Sequence, residues 1–312
     1  MVYQTLKGMP HGELIARTAH AEVYAWDKHQ ILKLYLKDRQ AELSTDRSRA
    51  KGAAQVGLPV PAVGKQIEVE GRMGLLFERV DGPTMGQYIG EQPGRAALCA
   101  RTLAELHADI HASGKWKGLP DQRLGLESGI RFGATIRLPD HLRTAALKAL
   151  KAMPDADQLC HGDFHPNNVL MGSDGPVIID WGSASIGSPL ADVARTSVAM
   201  LQGKPWRGLR RPYLERYSQL RPIDEAELDA WMPIVAALRY SQNPDPRDDL
   251  LPRLLRHNLL PTVTNREWQD LKDEMAAAAP SSDPPPRAAD APLSRETARW
   301  TALAGIISLG QW

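Results

Sequence analysis

The sequence predicts an α+β chain of two lobes, a small antiparallel-sheet lobe followed by a larger, mainly helical one. Three observations carry this expectation. Runs of alternating polar and apolar residues crowd into the first eighty positions. Apolar residues recur at helical spacing after position 95, and a Val80-Asp81-Gly82-Pro83 turn separates the two regimes.

Each element has a local cause. Glu22–Trp26 (EVYAW) alternates polar and apolar, as does Gln30–Leu36, and Asp27-Lys28-His29 between them makes a hairpin. Ala41–Gly57 is rich in Ala, Arg and Lys and closes on Gly57, which predicts a helix. Prolines 59 and 61 then force an extended path, because each biases its predecessor away from the helical region. Gln66–Glu70 and Met73–Arg79 form a second hairpin across Gly71-Arg72. In Arg95–Ala112, the residues Cys99, Leu103, Leu106 and Ile110 alternate steps of four and three, an apolar seam along one helix face. A shorter helix is expected over 140–152. Residues 159–180 read as turn and strand, with Val177–Asp180 (VIID) a short buried strand, and helical patterns return from Leu190 to about Met275.

From Ala276 the run AAAAPSSDPPPRAADAP has no period, and prolines 284–286 exclude a helix there. Residues 294–312 place Trp300, Leu303, Ile306 and Ile307 behind a cap-like Ser294, a candidate docking helix. The expected division is a small lobe over 1–80, a large lobe over 81–275, a linker over 276–293 and the candidate helix over 294–312.

Composition excludes several classes. The chain has 312 residues, of which 43% are hydrophobic and 24% charged, in the range of soluble globular proteins. With 38 basic and 37 acidic side chains the net charge is +1, so neither nucleic acid nor an anionic membrane is expected as a partner. Cys99 and Cys160 make no disulfide framework and no metal-binding CxxC, which fits a reducing cytoplasm. The N-terminal MVYQTLKGMPHGEL lacks the apolar run of a signal peptide. A monomer is the expected state.

The informative segment is HGDFHPNNVL, His161–Leu170, followed by VIIDWG, Val177–Gly182. Asp163 and Asn168 are five residues apart in a loop, and Asp180 ends an apolar run twelve residues later. Phosphoryl transfer from a nucleotide needs this set. One carboxylate must accept the proton of an attacking hydroxyl, while a hard Mg²⁺ takes an amide oxygen and a second carboxylate. Asp163 would be the base, and Asn168 and Asp180 the metal ligands. An Asp and an Asn in a turn also cap backbone groups; the buried strand ending in Asp favours the chemical reading. Lys33, within ILKLY, would be a solvent-facing residue of an alternating strand if taken alone. Beside this loop it becomes a candidate phosphate ligand, since an inward lysine needs an acidic partner or a phosphate.

These blocks, in this order over roughly residues 10–270, resemble the aminoglycoside phosphotransferase family, which shares the two-lobed protein-kinase-like fold with choline and fructosamine kinases. The resemblance implies ATP and Mg²⁺ as cofactors, a small-molecule hydroxyl acceptor, and Lys33 on the phosphates. It implies an adenine-pairing hinge at Glu78, Arg79 and Val80 within LFERVDG. It also implies supporting roles for His161 and Asp192 behind the catalytic loop. An aminoglycoside, a sugar or an amino-alcohol would each suit as acceptor. A nucleotide-binding regulatory protein that has lost catalysis is the alternative.

Two departures stand out. Where the family has a glutamate on the small-lobe helix, this chain has Asp46, with Glu42 one turn earlier as the competing partner for Lys33; Asp46 is favoured. The loop Ile15–Ala21 (IARTAHA) lacks the glycines that let backbone wrap a phosphate. Thr18 and His20 would then reach phosphate through their side chains or not at all. The stretch Ile223–Asp249 carries seven acids, attractive to a cationic acceptor but equally explained as a solvated helix start. Trp231 and Tyr240 there read as core rather than sugar-stacking residues, and Cys160 as a small buried hydrophobe.

Overall fold

The structure is a computed structural model that describes residues 4–6, 12–18, 20–133 and 138–242. The expected linker over 276–293, the candidate helix over 294–312 and the helical patterns past 242 lie outside the described residues. Chain contacts divide the protein into two compact units. One comprises Met1–Glu91 with Pro166–Gly182, the other Gln92–His165 with the described residues from Ser183 onward. The first unit runs through Glu91, and a loop and hairpin from the middle of the chain group with it.

The first unit begins with β1 (Gln4–Leu6), β2 (Leu14–Arg17), β3 (Ala21–Ala25) and β4 (Gln30–Tyr35). Next come α1 (Gln40–Gln55), β5 (Val63–Val69), β6 (Arg72–Glu78) and α2 (Met85–Glu91). The sheet order is β1-β5-β6-β4-β3-β2. All pairings are antiparallel except β1 on β5, which is parallel, so the sheet is not purely antiparallel as expected. A second correction concerns Ile15–Ala21. Ile15–Arg17 belong to β2, paired with β3, so the connecting loop contracts to three residues.

Alternation along β4 decides what the sheet presents on each side. Leu32 and Leu34 are fully buried on one face with Ile67, Val69 and Leu76. Lys33 and Tyr35 point the other way, where Tyr35, Leu43 of α1 and Leu75 form a second apolar cluster.

The second unit opens with α3 (Ala96–Ala112), α4 (Gln122–Phe132), α5 (Asp140–Ala152) and β7 (Gln158–Cys160). All four predicted seam residues of α3 are buried, none more than 7% exposed. Each such Leu or Ile is worth about 2 kcal/mol of apolar burial. Asp121 starts α4 by accepting a hydrogen bond from the Leu124 amide at 2.9 Å.

The chain then returns to the first unit as a hairpin, β8 (Val169–Gly172) and β9 (Gly175–Ile178). The strand ends two residues earlier than the expected Val177–Asp180, and Asp180 itself takes a left-handed φ of 60°. The hairpin is tied to the segment after β6. The Met171 amide donates to the Pro83 carbonyl at 2.9 Å, and Thr84 bridges Leu170. Gly82 permits this approach, because a Cβ there would stand 2.1 Å from the Met171 carbonyl oxygen.

The second unit resumes with β10 (Ser185–Gly187), α6 (Pro189–Gln202), α7 (Arg210–Leu220) and α8 (Glu225–Gln242). β10 pairs antiparallel with β7. α3 packs on α7 and α6 on α8. Ser188 caps α6 through the Ala191 amide, with Pro189 in the first turn. Trp231 and Tyr240 of α8 are buried, 1% and 3% exposed, as core residues. Among the described residues no helix is long and apolar enough to cross a membrane.

Candidate active site

In the first unit, strand β4 delivers Lys33 toward α1. Its Nζ donates to Asp46 Oδ2 at 2.6 Å, and Asp180 Oδ1 lies 3.9 Å away. The acidic partner is therefore Asp46. Glu42 instead faces His20, 3.3 Å away, and Arg39. Tyr35, two residues along the same strand face, donates its hydroxyl to the same Asp46 oxygen at 2.7 Å. Nothing in the sequence drew attention to this tyrosine, although its spacing from Lys33 places both on one face. Burial alone would lower the Lys33 pKa, but Asp180 and Asp46 outweigh it and hold the ammonium above its ordinary value. The same buried carboxylate environment pushes the Tyr35 phenol up, burial first and Asp46 second.

Asn168 closes a short 3-10 turn, Pro166–Asn168, and is 7% exposed. Its carbonyl accepts a hydrogen bond from the Ile179 amide at 3.0 Å, which joins its backbone to the residue just before Asp180. Asp180 is half exposed, at 51% of its side chain. A buried amide and an accessible carboxylate joined this closely fit the all-oxygen preference of Mg²⁺. Gly182 leaves room beside them, its Cβ direction 3.2 Å from Asp46 Oδ1.

At the expected hinge, the Glu78 amide donates to the Ala62 carbonyl and the Arg79 amide to the His29 carbonyl, both at 2.8 Å. The Glu78 carboxylate accepts from the Ala62 amide, and Arg79 pairs with Asp81. Val80 packs toward Gly172 of the β8–β9 hairpin. Thr18 is engaged locally: its hydroxyl accepts from the His20 and Ala21 amides and donates to the Ala21 carbonyl. That is a side-chain-stabilised turn.

In the second unit, Asp163 follows Gly162, whose φ of 79° and Cβ approach of 2.3 Å to the Ser183 carbonyl oxygen require glycine. The Asp163 side chain is 19% exposed, 3.6 Å from His165 Nε2. Burial would raise its pKa. His165, then Arg195 and Arg239, overcome that and keep the carboxylate ionised well below its usual range.

Behind this loop lies a buried polar network. Asp192, fully buried in the first turn of α6, accepts the His161 amide at 2.7 Å and the Gly162 amide at 3.0 Å. It also bonds His107 Nε2 at 3.2 Å and His111 Nε2 at 3.4 Å. The opposite ring nitrogens meet Tyr213 at 2.7 Å and Tyr217 at 2.6 Å, so Nε2–H donates to Asp192 and each Tyr hydroxyl donates to Nδ1. The ligand atoms of His107, His111 and Asp192 lie within 4.8 Å of one another, close enough for a metal ion. Hydrogen bonds already engage every one of them, and the cluster reads as support for the loop. His161 completes it, its Nδ1 accepting the Asp163 amide at 3.3 Å.

The network has a pH consequence. Burial first, then His107, pushes the His111 pKa down to about 3. An unfolded histidine titrates near 6.5, so between these values the unfolded chain binds the proton and the folded one does not. Stability is fully present above about pH 6.5 and falls on acidification, by about 2 kcal/mol at pH 5. Thermal melts at pH 7 and pH 5 should show this loss, and His111→Gln should flatten the dependence; an unchanged slope in that variant would assign it to other groups.

A family comparison bears directly on this geometry. The model of the Phosphotransferase enzyme family matches residues 11–231. The chain belongs to that family. Solved structures agree on the fold. An aminoglycoside-3'-phosphotransferase of type VIII aligns at 18% identity and TM-score 0.56, covering 70% of this chain and 89% of that one. The aminoglycoside phosphotransferase APH(3'')-Id from Streptomyces rimosus, in complex with ADP and streptomycin, aligns at 19% identity and TM-score 0.53, covering 74% and 93%. A choline/ethanolamine kinase family protein from Mesorhizobium loti aligns at 17% identity and TM-score 0.54, covering 95% and 94%. Among curated protein sequences none matches the chain significantly. The phosphotransferase-family chain thus has the expected kinase-like α+β fold.

Proposed function

We propose that this family member transfers the γ-phosphate of ATP to an alcohol hydroxyl of a small molecule. The observation that carries the reading is the Lys33–Asp46 ion pair at 2.6 Å with Asp180 at 3.9 Å, a cation and two carboxylates presented on one sheet face. A lysine held charged in this way suits the α- and β-phosphates. The ADP bound to the Streptomyces rimosus relative supports a nucleotide donor. Val80 would supply the amide donor to adenine, since the Glu78 and Arg79 amides are engaged in the sheet. Asn168 and Asp180 would hold Mg²⁺, which when bound neutralises charge on the phosphates. Asp163 would accept the hydroxyl proton as the acceptor oxygen bonds to the γ-phosphorus. The bond from that phosphorus to the bridging oxygen breaks, and ADP leaves. Catalysis is then positioning and charge stabilisation, with no covalent enzyme intermediate. The intact Lys33–Asp46 pair weighs against a regulatory protein that has lost catalysis. A cytoplasmic monomer fits this reading.

The test is ADP release on a panel of hydroxyl compounds, with Asp180→Ala as control. The variant should weaken magnesium-dependent ATP binding at least tenfold. An unchanged magnesium dependence would remove Asp180 from the metal.

A further inference from the structure

Within the first unit, one carboxylate oxygen serves two donors from the same strand. Asp46 Oδ2 accepts from Lys33 Nζ at 2.6 Å and from the Tyr35 hydroxyl at 2.7 Å. The donors stand two residues apart on β4, so the pleat sets them side by side on one face. Tyr35 also meets the other half of the ion pair. The Lys33 ammonium lies over its ring, 5.6 Å from the centroid, within reach of the negative π-face. A single side chain therefore faces the cation with its ring and the anion with its hydroxyl.

Tyr35 is the fixed member of this trio. It is fully buried and packed with Ala21, Leu43 and Leu75. Its carbonyl accepts from Gln40 Nε2 and from Arg72 Nε, both at 3.0 Å. Lys33 and Asp46 are looser, with 19% and 14% of their side chains exposed, and lysine carries its charge on a flexible four-carbon stem. Burial, then Asp46, pushes the Tyr35 phenol up, so it keeps its proton and is the donor. Of the three ammonium hydrogens one is directed at Asp46. Asp180 Oδ1, at 3.9 Å, lies beyond hydrogen-bond reach. Sharing Oδ2 with a neutral hydroxyl lets Asp46 orient the ammonium while leaving it charge for an incoming phosphate. Packing accounts for the ring; it does not account for a hydroxyl that lands on the oxygen Lys33 uses.

We propose that Tyr35 is a positioning residue for the phosphate-binding lysine, holding Asp46 and the Lys33 ammonium in the geometry that receives the nucleotide phosphates. The proposal rests on the phosphotransferase reading and deepens it. Tyr35 acts through Lys33 and Asp46, and its gain is preorganisation: the ammonium is already placed when the nucleotide arrives.

The experiment uses the full chain and reads the affinities of ATP with Mg²⁺ and of adenosine by calorimetry. Tyr35→Phe keeps the ring and removes the hydroxyl. It should weaken ATP roughly tenfold, the loss of one hydrogen bond to a charged group. Adenosine, which carries no phosphate, should bind the variant as it binds the natural protein. A merely structural tyrosine would move both ligands together. Asp46→Ala supplies the second arm. If the hydroxyl works through Asp46, adding Tyr35→Phe in that background should weaken ATP by less than about twofold, the non-additivity of a coupled pair. Adenosine affinity is the check that each variant is folded. Equal ATP affinity in the natural protein and in Tyr35→Phe overturns the proposal, as does a parallel loss of ATP and adenosine. A full tenfold loss repeated in the Asp46→Ala background overturns it equally. A natural protein that binds ATP no tighter than adenosine rejects Lys33 as a phosphate ligand. That result removes the nucleotide reading and the proposal with it, and it is seen before any variant is made.

Discussion

Replacing Asp163 by Asn is expected to leave ATP·Mg²⁺ bound with near-unchanged affinity and to lower kcat by about 10²–10⁴-fold. The substitution conserves size, and the groups on β4, α1 and the β8–β9 hairpin that would meet the nucleotide are untouched. What is lost is a carboxylate oxygen able to orient and accept the acceptor's proton. Because His165, Arg195 and Arg239 overcome burial and hold Asp163 ionised, it is already deprotonated across neutral pH. An acidic limb in the pH–rate profile should therefore belong to another group. Direct nucleotide titration with single-turnover kinetics separates the two effects. Turnover retained near the natural rate would remove Asp163 from the base role.

Asp192→Ala should be the most destabilising single change in the second unit. The substitution strips partners from the His161 and Gly162 amides and from two imidazoles, all in fully buried surroundings. Breaking a buried charged network costs about 3–5 kcal/mol, against a total stability of about 5–15 kcal/mol. Differential scanning calorimetry should show Tm falling by roughly 10 °C. A variant that melts with the natural protein would mean that the loop is held by other contacts. His107→Gln is the gentler companion, because it loses one of the four hydrogen bonds to Asp192 and keeps the backbone amides satisfied.

Much of this was legible from local pattern. The alternation in β3, β4 and β6, the Ala-rich α1 and the four-three seam of α3 are set by neighbours within one or two turns, and the structure follows them closely. The parallel β1–β5 pair was not legible, because Gln4 meets Ile67 across most of the first unit and no turn signal announces such a contact. Local turn chemistry also misled: residues 15–17 looked like part of a phosphate loop, yet pairing with β3 draws them into the sheet.

In the site, the motif residues were all readable as residue types at fixed spacing. Their partners were not. Tyr35 could have been found from its two-residue offset to Lys33 on an alternating strand. His107 and His111, four apart, share the helix side that the apolar seam marks as buried, which is a signal for buried polar partners. Tyr213 and Tyr217 repeat that spacing on α7 and meet them pair by pair.

By itself the sequence determined the α+β class, the order of elements and the chemical types at the loop: a carboxylate, an amide and a second carboxylate at their spacing, with a strand lysine upstream. These follow from covalent neighbours and side-chain period, which any local window contains. Only the tertiary structure decided that Lys33 pairs with Asp46 rather than Glu42, and that one buried aspartate gathers two histidines and two backbone amides. It also decided that Arg195 and Arg239 act on Asp163 from α6 and α8. Those outcomes depend on which helix faces meet across separations of tens of residues, and packing selects them by burying apolar seams and leaving each enclosed polar group a partner.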